Sequence, residues 1–449
     1  MTEAYELAET NQQLDHIPGD YGWPGIGKTI ALFRDPVAMF DAHYKQFGPV
    51  SRISVTGQKM VMLVGPELVK TLMLDTERMF SVKMGWGLFM SDFFAGGVLM
   101  KDFEEHRTHR RIMQNAFKSD AMRIYAEKIQ EIVRRSVSQW HKQQNIIFFE
   151  EIKGLLLHIA FEVFCRVDQQ REEEEKVNQA FIDMMEGTMG VIRKDIPGLL
   201  YRRGMNGRRY LKKYFMGLVA KKRRGNDTDI LSHFCREQKE NGEFFSDEEV
   251  ADHMIFLMLA AHDTTSSAIT MGAYHLAKDK ILQQQLREEF VQTGKTAPNY
   301  EMWMNDLPLM QAAFNEIIRL YPPVSIFFRR TIRDCNINGI HIPEHTMLMA
   351  PTIYNQRLRE WWKEADSFSP QRFLVPRQEQ KQHPFLWTPF GSGAHKCIGM
   401  HFAELLFNIT FAELLRHNSI EFARPATANS KLQYYPFAKP ADDLPLKIV

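Results

Sequence analysis

The sequence predicts a mainly α-helical protein with small β-sheets, built as one large domain over residues 1–449 around a long central helix. Residues 105–290 are dominated by apolar positions at helical spacing and contain few prolines. Strand-like runs occur before them (RISV, KMVMLV) and after them (FFRRTIRD, INGIHIP, HTMLMAP). Because neither a repeat nor a linker rich in Pro, Gly or Ser divides the chain, we expect a single domain.

The first elements follow from their turn residues. Residues 17–29 carry two prolines and four glycines, which predicts a turn-rich entry to a helix near Asp35 and Pro36. The tripeptide at residues 56–58, Thr-Gly-Gln, separates RISV from KMVMLV and predicts a β-hairpin. A further helix is expected from residue 398.

The clearest predicted helix begins at Ser246, which forms a capping box with Glu249. Its pattern contains no Pro or Gly as far as Gly272 and continues to Lys278. About 33 residues at about 1.5 Å each give a helix of roughly 50 Å. Residues 254–261 are apolar on every side, so the middle of this helix should be buried.

Composition excludes several classes of protein. The 449 residues are 44% hydrophobic and 12% aromatic, which argues against a disordered or fibrous chain. A net charge of +1 gives no case for nucleic acid as a partner. The four cysteines include no CxxC pair, and the first twenty residues lack an apolar segment. We therefore expect a soluble protein of the cytoplasm rather than a disulfide scaffold, a zinc knuckle or a membrane span.

Local charge is uneven, since residues 202–224 hold ten Lys or Arg and no acid. The segment is expected to be helical. Three interpretations are open for it: a solvated helix face, peripheral contact with an anionic membrane surface, and a protein partner.

A polar run, HDTTSS at residues 262–267, interrupts the apolar centre of the long helix. A carboxylate followed by hydroxyls is costly inside a buried helix, and departures of this kind are expected at functional sites. Either the hydroxyls bond back to the helix and Asp263 has a structural partner, or Asp263 and its neighbouring alcohol form a proton relay beside Ala260 and Ala261.

The second candidate is Cys397 in FGSGAHKCIGMHFAELL, with glycines at 391, 393 and 399. Glycine permits positive φ and close approach of a planar ligand, and a helix N-terminus next to cations favours thiolate. The residue is either a small buried apolar side chain or a thiolate that acts as nucleophile or metal ligand.

Two further elements say little alone. Glu316 and Arg319 lie three residues apart in a helix that Pro322 ends, and an isolated pair of this kind is typically a solvated surface pair. Arg372 lies in the turn FSPQRF.

In combination and in this order, the elements resemble the cytochrome P450 family of haem-thiolate monooxygenases. FGSGAHKCIG matches the FxxGxxxCxG haem loop at Phe390, Gly393, Cys397 and Gly399. The remaining matches are the ExxR pair at Glu316 and Arg319, the PxRF arginine at Arg372 that completes a structural triad, and AAHDTT at residues 260–265. The opening PGDYGWPGIGKTIALFRDP resembles that of sterol- and retinoid-metabolising members.

The resemblance implies that Cys397 is the axial thiolate ligand of the iron of haem b. Thiolate donation favours cleavage of the O–O bond. The residues implied to lie beside the ring are Phe390, Gly391 and Gly399. Those implied to bind its propionates are His106, Arg110, Arg329 and His395, with Arg329 preferred to Arg330.

Asp263 and Thr264 are implied to deliver the protons of oxygen activation. Many members have Gly where this chain has Ala261, whose methyl group should narrow the oxygen pocket. Two alternatives are weighed: a peroxide-dependent or rearranging enzyme, which Asp263 and Thr264 disfavour, and a non-catalytic haem-binding protein, which has no use for a relay.

The segments that match substrate-contacting regions are aromatic, Met-rich and almost uncharged, so a sizeable apolar substrate is expected: a sterol, terpenoid, retinoid or fatty acid. Because no flavin or iron–sulfur domain is fused, electrons should pass from NAD(P)H through a ferredoxin, a flavodoxin or a reductase. The pocket residues expected are Trp86, Phe89, Phe93, Phe256, Ala260, Val324, Phe327 and Phe437.

Overall fold

The computed structural model of the chain describes residues 9–166, 171–188, 190, 192–295 and 298–449. Helices account for most of them. In chain order the α-helices are α1 Thr29–Arg34, α2 Pro36–Phe47, α3 Pro66–Leu74, α4 Val82–Phe94, α5 Phe103–Asn115, α6 Ser119–Gln143, α7 Phe148–Ile159, α8 Arg171–Thr188, α9 Leu200–Arg224, α10 Ile230–Arg236, α11 Asp247–Lys278, α12 Lys280–Gln292, α13 Tyr300–Asn305, α14 Pro308–Leu320, α15 Thr352–Asn355 and α16 Met400–Leu415.

The strands are short, and all but β4 lie before residue 82 or after residue 326. They are β1 Val50–Val55, β2 Gln58–Leu63, β3 Phe80–Ser81, β4 Asn145–Ile147, β5 Phe327–Thr331, β6 Cys335–Ile337, β7 Ile340–Ile342, β8 Met347–Ala350, β9 Ile420–Phe422, β10 Leu432–Gln433, β11 Lys439–Pro440 and β12 Pro445–Ile448. The prediction of a mainly helical fold with small sheets is confirmed.

By contacts, the chain divides into two compact units. The first comprises residues 1–85, 136–152 and 264–449, and the second comprises residues 86–135 and 153–263. All of these strands belong to the first unit. The expectation of one domain over residues 1–449 stays a prediction.

A five-stranded sheet of order β1-β2-β8-β5-β3 is the largest of the first unit. The predicted hairpin forms its edge, with Val50 opposite Leu63 and Val55 opposite Gln58. β2 and β8 pair in parallel and the other strands pair antiparallel. An apolar cluster from β1, β2, β8 and α3 packs on this sheet, and Phe327 of β5, the strand that carries Arg329 and Arg330, packs against it.

The central helix α11 has 32 residues and begins where the capping box predicts. The Glu249 amide bonds the Ser246 hydroxyl at 3.1 Å, and the Ser246 amide bonds the Glu249 carboxylate at 2.8 Å. Gly272 is needed further along this helix, because a Cβ there would lie 2.9 Å from the rings of Phe407 and Phe411 in α16.

Candidate active site

The loop before α16 carries Cys397 in an exposed position. The Cys397 amide donates a 2.9 Å hydrogen bond to the Phe390 carbonyl, which closes the loop, and a short helical turn, Gly393–His395, lies between them. The Phe390 ring packs on Phe314 and Trp387, with ring centroids 6.2 and 6.3 Å apart. The thiol is therefore presented on a fixed backbone that is attached to the core.

Two glycines of the loop have left-handed backbone conformations. Gly391 and Gly393 both have φ of +65°. A Cβ on Gly393 would lie 2.2 Å from the backbone oxygen of Met73, at the end of α3, so only glycine fits there. A Cβ on Gly399 would meet no protein atom within 4 Å. Gly393 is thus required by the protein itself, and Gly399 is not.

The other three cysteines have environments that disfavour the thiolate. Burial raises the pKa of the Cys235 thiol to about 12 and that of the Cys335 thiol to about 11, and it raises the pKa of Cys165 as well. Because the thiolate is the form that binds a metal, Cys397 is the cysteine best placed to act as a ligand.

Behind the loop, Glu316 and Arg319 of α14 are completely buried and bonded to each other. Arg319 Nε lies 2.6 Å from one Glu316 oxygen, and its Nη2 lies 2.9 Å from the other. Arg372 Nε donates to Glu316 at 2.8 Å, and so does the Ser369 amide at 2.9 Å. The three residues named as a triad are in direct contact, and the solvated surface pair that Glu316 and Arg319 suggest in isolation is wrong.

Two members of this network carried no sequence signal. Glu379 bonds Arg372 at 2.7 Å, so two buried carboxylates neutralise the two buried guanidinium groups. Gln356 accepts from the Thr388 amide at 3.0 Å and donates to the carbonyls of Ile318 and Arg319 at 3.1 and 3.2 Å. Gln356 thereby joins the end of α14 to the start of the cysteine loop.

The two arginines of β5 point to opposite faces of the sheet. Arg329 shares its face with Phe327, whose ring would lie 3.5 Å from a Cβ on Gly391. Its guanidinium lies 3.8 Å from the Met73 sulfur and bonds the Phe328 carbonyl at 2.8 Å. Arg330 bonds the His345 carbonyl at 3.3 Å instead. The geometry therefore favours Arg329 as the cation beside the cysteine loop, where His395 is also found.

In the second unit, His106 and Arg110 lie one turn apart on α5. His106 is buried and Arg110 is partly exposed. The i,i+4 spacing places both side chains on one helix face, as the sequence predicts.

The central helix has one partly exposed face in its buried stretch. Between residues 253 and 274, five positions are partly exposed and all others are buried: Phe256, Ala260, Ala261, Asp263 and Thr264. Four of them have the i, i+4, i+7, i+8 spacing of a single face. An acid and an alcohol therefore occupy the same face as two apolar side chains.

The hydroxyls that follow are buried. Ser267 Oγ donates a 2.7 Å bond to the Ala438 carbonyl, next to Phe437, so this hydroxyl has a structural role. Asp263 also has a partner that the sequence did not reveal, since the His262 ring lies 2.8 Å from its carboxylate.

The residues named for a substrate pocket differ in exposure. The partly exposed ones are Trp86, Phe89, Phe256, Ala260, Val324, Phe327 and Phe437. Phe93 is only 1% exposed and packs edge-on against Tyr201, with centroids 5.6 Å apart. A Cβ on Gly204 would lie 2.9 Å from the Phe93 ring, so Phe93 fills the core between α4 and α9.

Most cations of residues 202–224 have acidic partners in the second unit. The pairs in α9 are Arg202 and Arg209 with Asp195, Arg203 with Asp183, Arg208 and Lys212 with Asp252, Lys222 with Asp229, and Arg223 with Asp247. The charge of this helix is therefore largely balanced within the unit. Of the described helices, none is long and apolar enough to span a membrane.

The chemistry of the Cys397 loop fits a haem. One exposed thiol stands between left-handed glycines and a helix start, and the buried cation Arg329 shares its surroundings. A Cβ at Gly399 would meet no side chain within 4 Å, so the packing of the protein leaves this position open. A soft sulfur ligand next to cations suits an iron porphyrin with anionic propionates.

Comparisons with known proteins agree with this reading. The sequence profile of cytochrome P450 matches residues 17–440. Cytochrome P450 136 of Mycobacterium tuberculosis is 34% identical over 441 residues, which are 96% of this chain and 88% of that protein. Taxane 10-beta-hydroxylase of Taxus cuspidata is 27% identical and covers 86% of this chain and 80% of its own. The retinoic acid-bound cyanobacterial CYP120A1 structure superimposes with a TM-score of 0.87 at 22% identity, over 96% of this chain and 99% of that one.

Proposed function

The chain belongs to the cytochrome P450 family of haem-thiolate monooxygenases, and we propose that it hydroxylates a sizeable apolar substrate with electrons from a separate redox partner. The observation that carries the proposal is the exposed Cys397 on its loop. A hydrogen bond from the Cys397 amide to the Phe390 carbonyl closes this loop, and Gln356 joins the start of the loop to the buried ion network.

The haem, when bound, supplies the redox-active iron at which dioxygen is activated. We assign Cys397 as the thiolate that would hold its iron. Phe390, Gly391 and Gly399 would lie beside the group. Arg329, His395, His106 and Arg110 are the cations that would pair with its propionates.

Asp263 and Thr264 are assigned to the proton relay. They lie on the partly exposed face of α11, and the adjacent hydroxyls are buried. A carboxyl group and an alcohol on one face can pass protons by general acid catalysis, whereas a peroxide-driven enzyme does not need them. The same face carries Phe256 and Ala260, which would hold an apolar substrate beside the acid.

The substrate class follows from the lining and from the relatives. The partly exposed residues among those predicted for the pocket are aromatic or aliphatic, which suits a large apolar molecule held by few polar contacts. By their names, one relative hydroxylates a taxane and one fold neighbour binds retinoic acid. We therefore propose a terpenoid, sterol, retinoid or fatty acid as substrate. Phe93 serves as support for this pocket rather than as lining, because it is buried.

Electrons are proposed to come from NAD(P)H through a ferredoxin, a flavodoxin or a reductase. The cofactor that receives them is proposed to be haem b. Residues 1–449 are proposed to form a single domain. We place the enzyme in the cytoplasm. Membrane contact through residues 202–224 stays a prediction. The ion pairs of α9 favour the solvated helix face instead.

The test is turnover under labelled dioxygen. Substrates are first selected by the spectral shift that follows loss of iron-bound water, screened over retinoids, sterols, terpenoids and fatty acids. The selected compound is then incubated with NADPH, ferredoxin, ferredoxin reductase and ¹⁸O₂. We expect one ¹⁸O atom in each product molecule. Product that forms only with added peroxide, or that contains no label, would refute the proposal.

A further inference from the structure

The side chain of His262 is held from two sides within the second unit. Its Nδ1 lies 2.8 Å from the Asp263 carboxylate, and its Nε2 lies 3.1 Å from the backbone oxygen of Lys153 in α7. The Phe181 ring of α8 packs edge-on against it, with centroids 5.3 Å apart. The imidazole is 3% exposed, so its orientation is fixed by the core.

These two contacts determine how many protons His262 and Asp263 hold between them. A backbone carbonyl only accepts hydrogen bonds, so Nε2 of His262 must carry a hydrogen. A neutral imidazole then has a bare Nδ1, and a bare nitrogen cannot bond an ionised carboxylate, since both only accept. The 2.8 Å contact with Asp263 therefore contains one further proton, on the nitrogen or on the oxygen.

The two residues also differ in where they lie on the helix. Consecutive residues of an α-helix point about 100° apart. His262 lies in the buried core, while the Asp263 side chain is 14% exposed and shares the partly exposed face with Thr264. The imidazole therefore lies off the partly exposed face and contacts the relay acid at its carboxylate.

We propose that His262 is a positioning residue that shares one proton with Asp263 and so keeps the relay acid supplied with a proton to deliver. The inference rests on the relay role proposed above for Asp263 and Thr264, and it deepens that role. The Nδ1–H bond breaks as the Asp263 O–H bond forms, and the imidazole becomes neutral while it keeps its Nε2 hydrogen. Asp263 then releases the proton on the Thr264 side, and a proton from solvent restores the pair.

Two variants separate sharing of the proton from simple orientation. His262→Phe keeps a ring against Phe181 but has no hydrogen bonds. His262→Asn keeps an N–H donor near the position of Nδ1, yet an amide cannot give up that proton. We expect the Phe variant to lower product formed per dioxygen consumed about tenfold, which is less than the roughly 10²–10⁴-fold rate contribution of an acid itself. The Asn variant should resemble the Phe variant. An Asn variant that restores the wild-type ratio, or an unaffected Phe variant, would overturn the inference.

The second measurement does not depend on turnover. The reduced, carbon monoxide-bound protein is diamagnetic, so its imidazole protons can be observed with ¹⁵N-labelled histidine. We expect two hydrogen-bonded proton resonances from His262, identified by their absence in the Phe variant. Asp263→Asn should keep the Nε2 resonance and lose the other, because an amide donates to a bare Nδ1. An unprotonated Nε2 would contradict the proton count. Identical spectra for the wild type and Asp263→Asn would contradict the Nδ1–H bond from which the proposed transfer starts.

The outcomes also distinguish this inference from the proposed function. If the wild-type protein lacks a thiolate-type carbon monoxide spectrum, the proposed function is refuted. If Thr264→Ala lowers product formed per dioxygen consumed while both His262 variants leave it unchanged, only the inference about His262 is refuted.

Discussion

The Gln356 side-chain oxygen accepts a 3.0 Å hydrogen bond from the Thr388 amide, and Gln356 is itself completely buried. The Gln356 side-chain nitrogen donates to two carbonyls at the end of α14. The Gln356 backbone oxygen accepts from the Arg319 guanidinium at 2.9 Å. One side chain therefore connects the buried ion network with the loop that presents Cys397.

Replacing Gln356 by Leu should loosen this connection. The change leaves the Thr388 amide and two carbonyls buried without partners, at about 1–3 kcal/mol for each unsatisfied group before the structure relaxes. We expect the free energy of unfolding to fall by about 2–4 kcal/mol and the protein to retain less haem. Denaturant unfolding and the haem-to-protein ratio measure the two effects. Gln143→Leu, at an exposed position of α6, is the control, and equal behaviour of the two variants would contradict the role of Gln356.

Two glycines of the cysteine loop should respond differently to alanine. Gly393→Ala introduces a methyl group 2.2 Å from the Met73 oxygen at a positive φ, so both apoprotein and holoprotein should lose stability. Gly399→Ala meets no protein atom within 4 Å, so the apoprotein should unfold normally while haem incorporation falls. Thermal unfolding with and without haem tests both. A destabilised Gly399→Ala apoprotein would show that the requirement for Gly399 comes from the protein and not from the ring.

Thr264→Ala should separate oxygen consumption from product formation. The variant removes the alcohol on the partly exposed face of α11 and changes little packing, because Thr264 is not buried. We expect product per dioxygen to fall about tenfold or more, with peroxide released instead. Thr264→Ser keeps the hydroxyl and should stay near the wild type. The relay assignment fails when the Ala and Ser variants couple equally well.

Acid should destabilise the protein through buried histidines, of which His275 is the clearest. Burial lowers its pKa from 6.5 to about 3, and the charges of Lys278 and Arg357 act in the same direction. The ring is also held by the Tyr321 hydroxyl at 3.2 Å and by stacking on Phe368 at 4.3 Å. Because the unfolded chain binds a proton that the folded chain excludes, stability is full above about pH 6.5 and falls toward pH 3 by about 1.4 kcal/mol per pH unit.

His275→Phe removes this titration and retains the stacking. Its free energy of unfolding should therefore fall less steeply than that of the wild type between about pH 6.5 and pH 4.5. The two slopes should differ by about 1.4 kcal/mol per pH unit, the value for one proton. Denaturant unfolding at several pH values gives both slopes. Parallel curves would mean that His275 is protonated in the folded state as it is in the unfolded one.

The parts that the sequence predicts well depend on local signals. The capping box of Ser246 and Glu249 determines where α11 begins, and the Thr-Gly turn at residues 56–57 determines the hairpin. The cysteine loop is recognisable by its resemblance to the haem loop of the family. One matched glycine, Gly393, has a positive φ and an approach to Met73 that only glycine allows.

What the sequence could not predict depends on contacts between distant residues. By spacing alone, Glu316 and Arg319 predict a solvated surface pair. Arg372 enters the prediction only through the family resemblance, because it bonds Glu316 from more than fifty positions away. Gln356 and Glu379 carry no motif, and their roles come from the loops that enclose them. One partner of His262 is a backbone oxygen 109 residues earlier in the chain, which no spacing within the helix reveals.

The central claim is that Cys397 is the thiolate ligand of a haem. The most direct measurement is the absorption difference spectrum of the reduced protein with and without carbon monoxide, for the wild type and for Cys397→Ala. We predict a Soret band at the red-shifted position typical of thiolate ligation, lost in the variant. A band at the position of imidazole-ligated haem, or the same thiolate band in Cys397→Ala, would contradict the account.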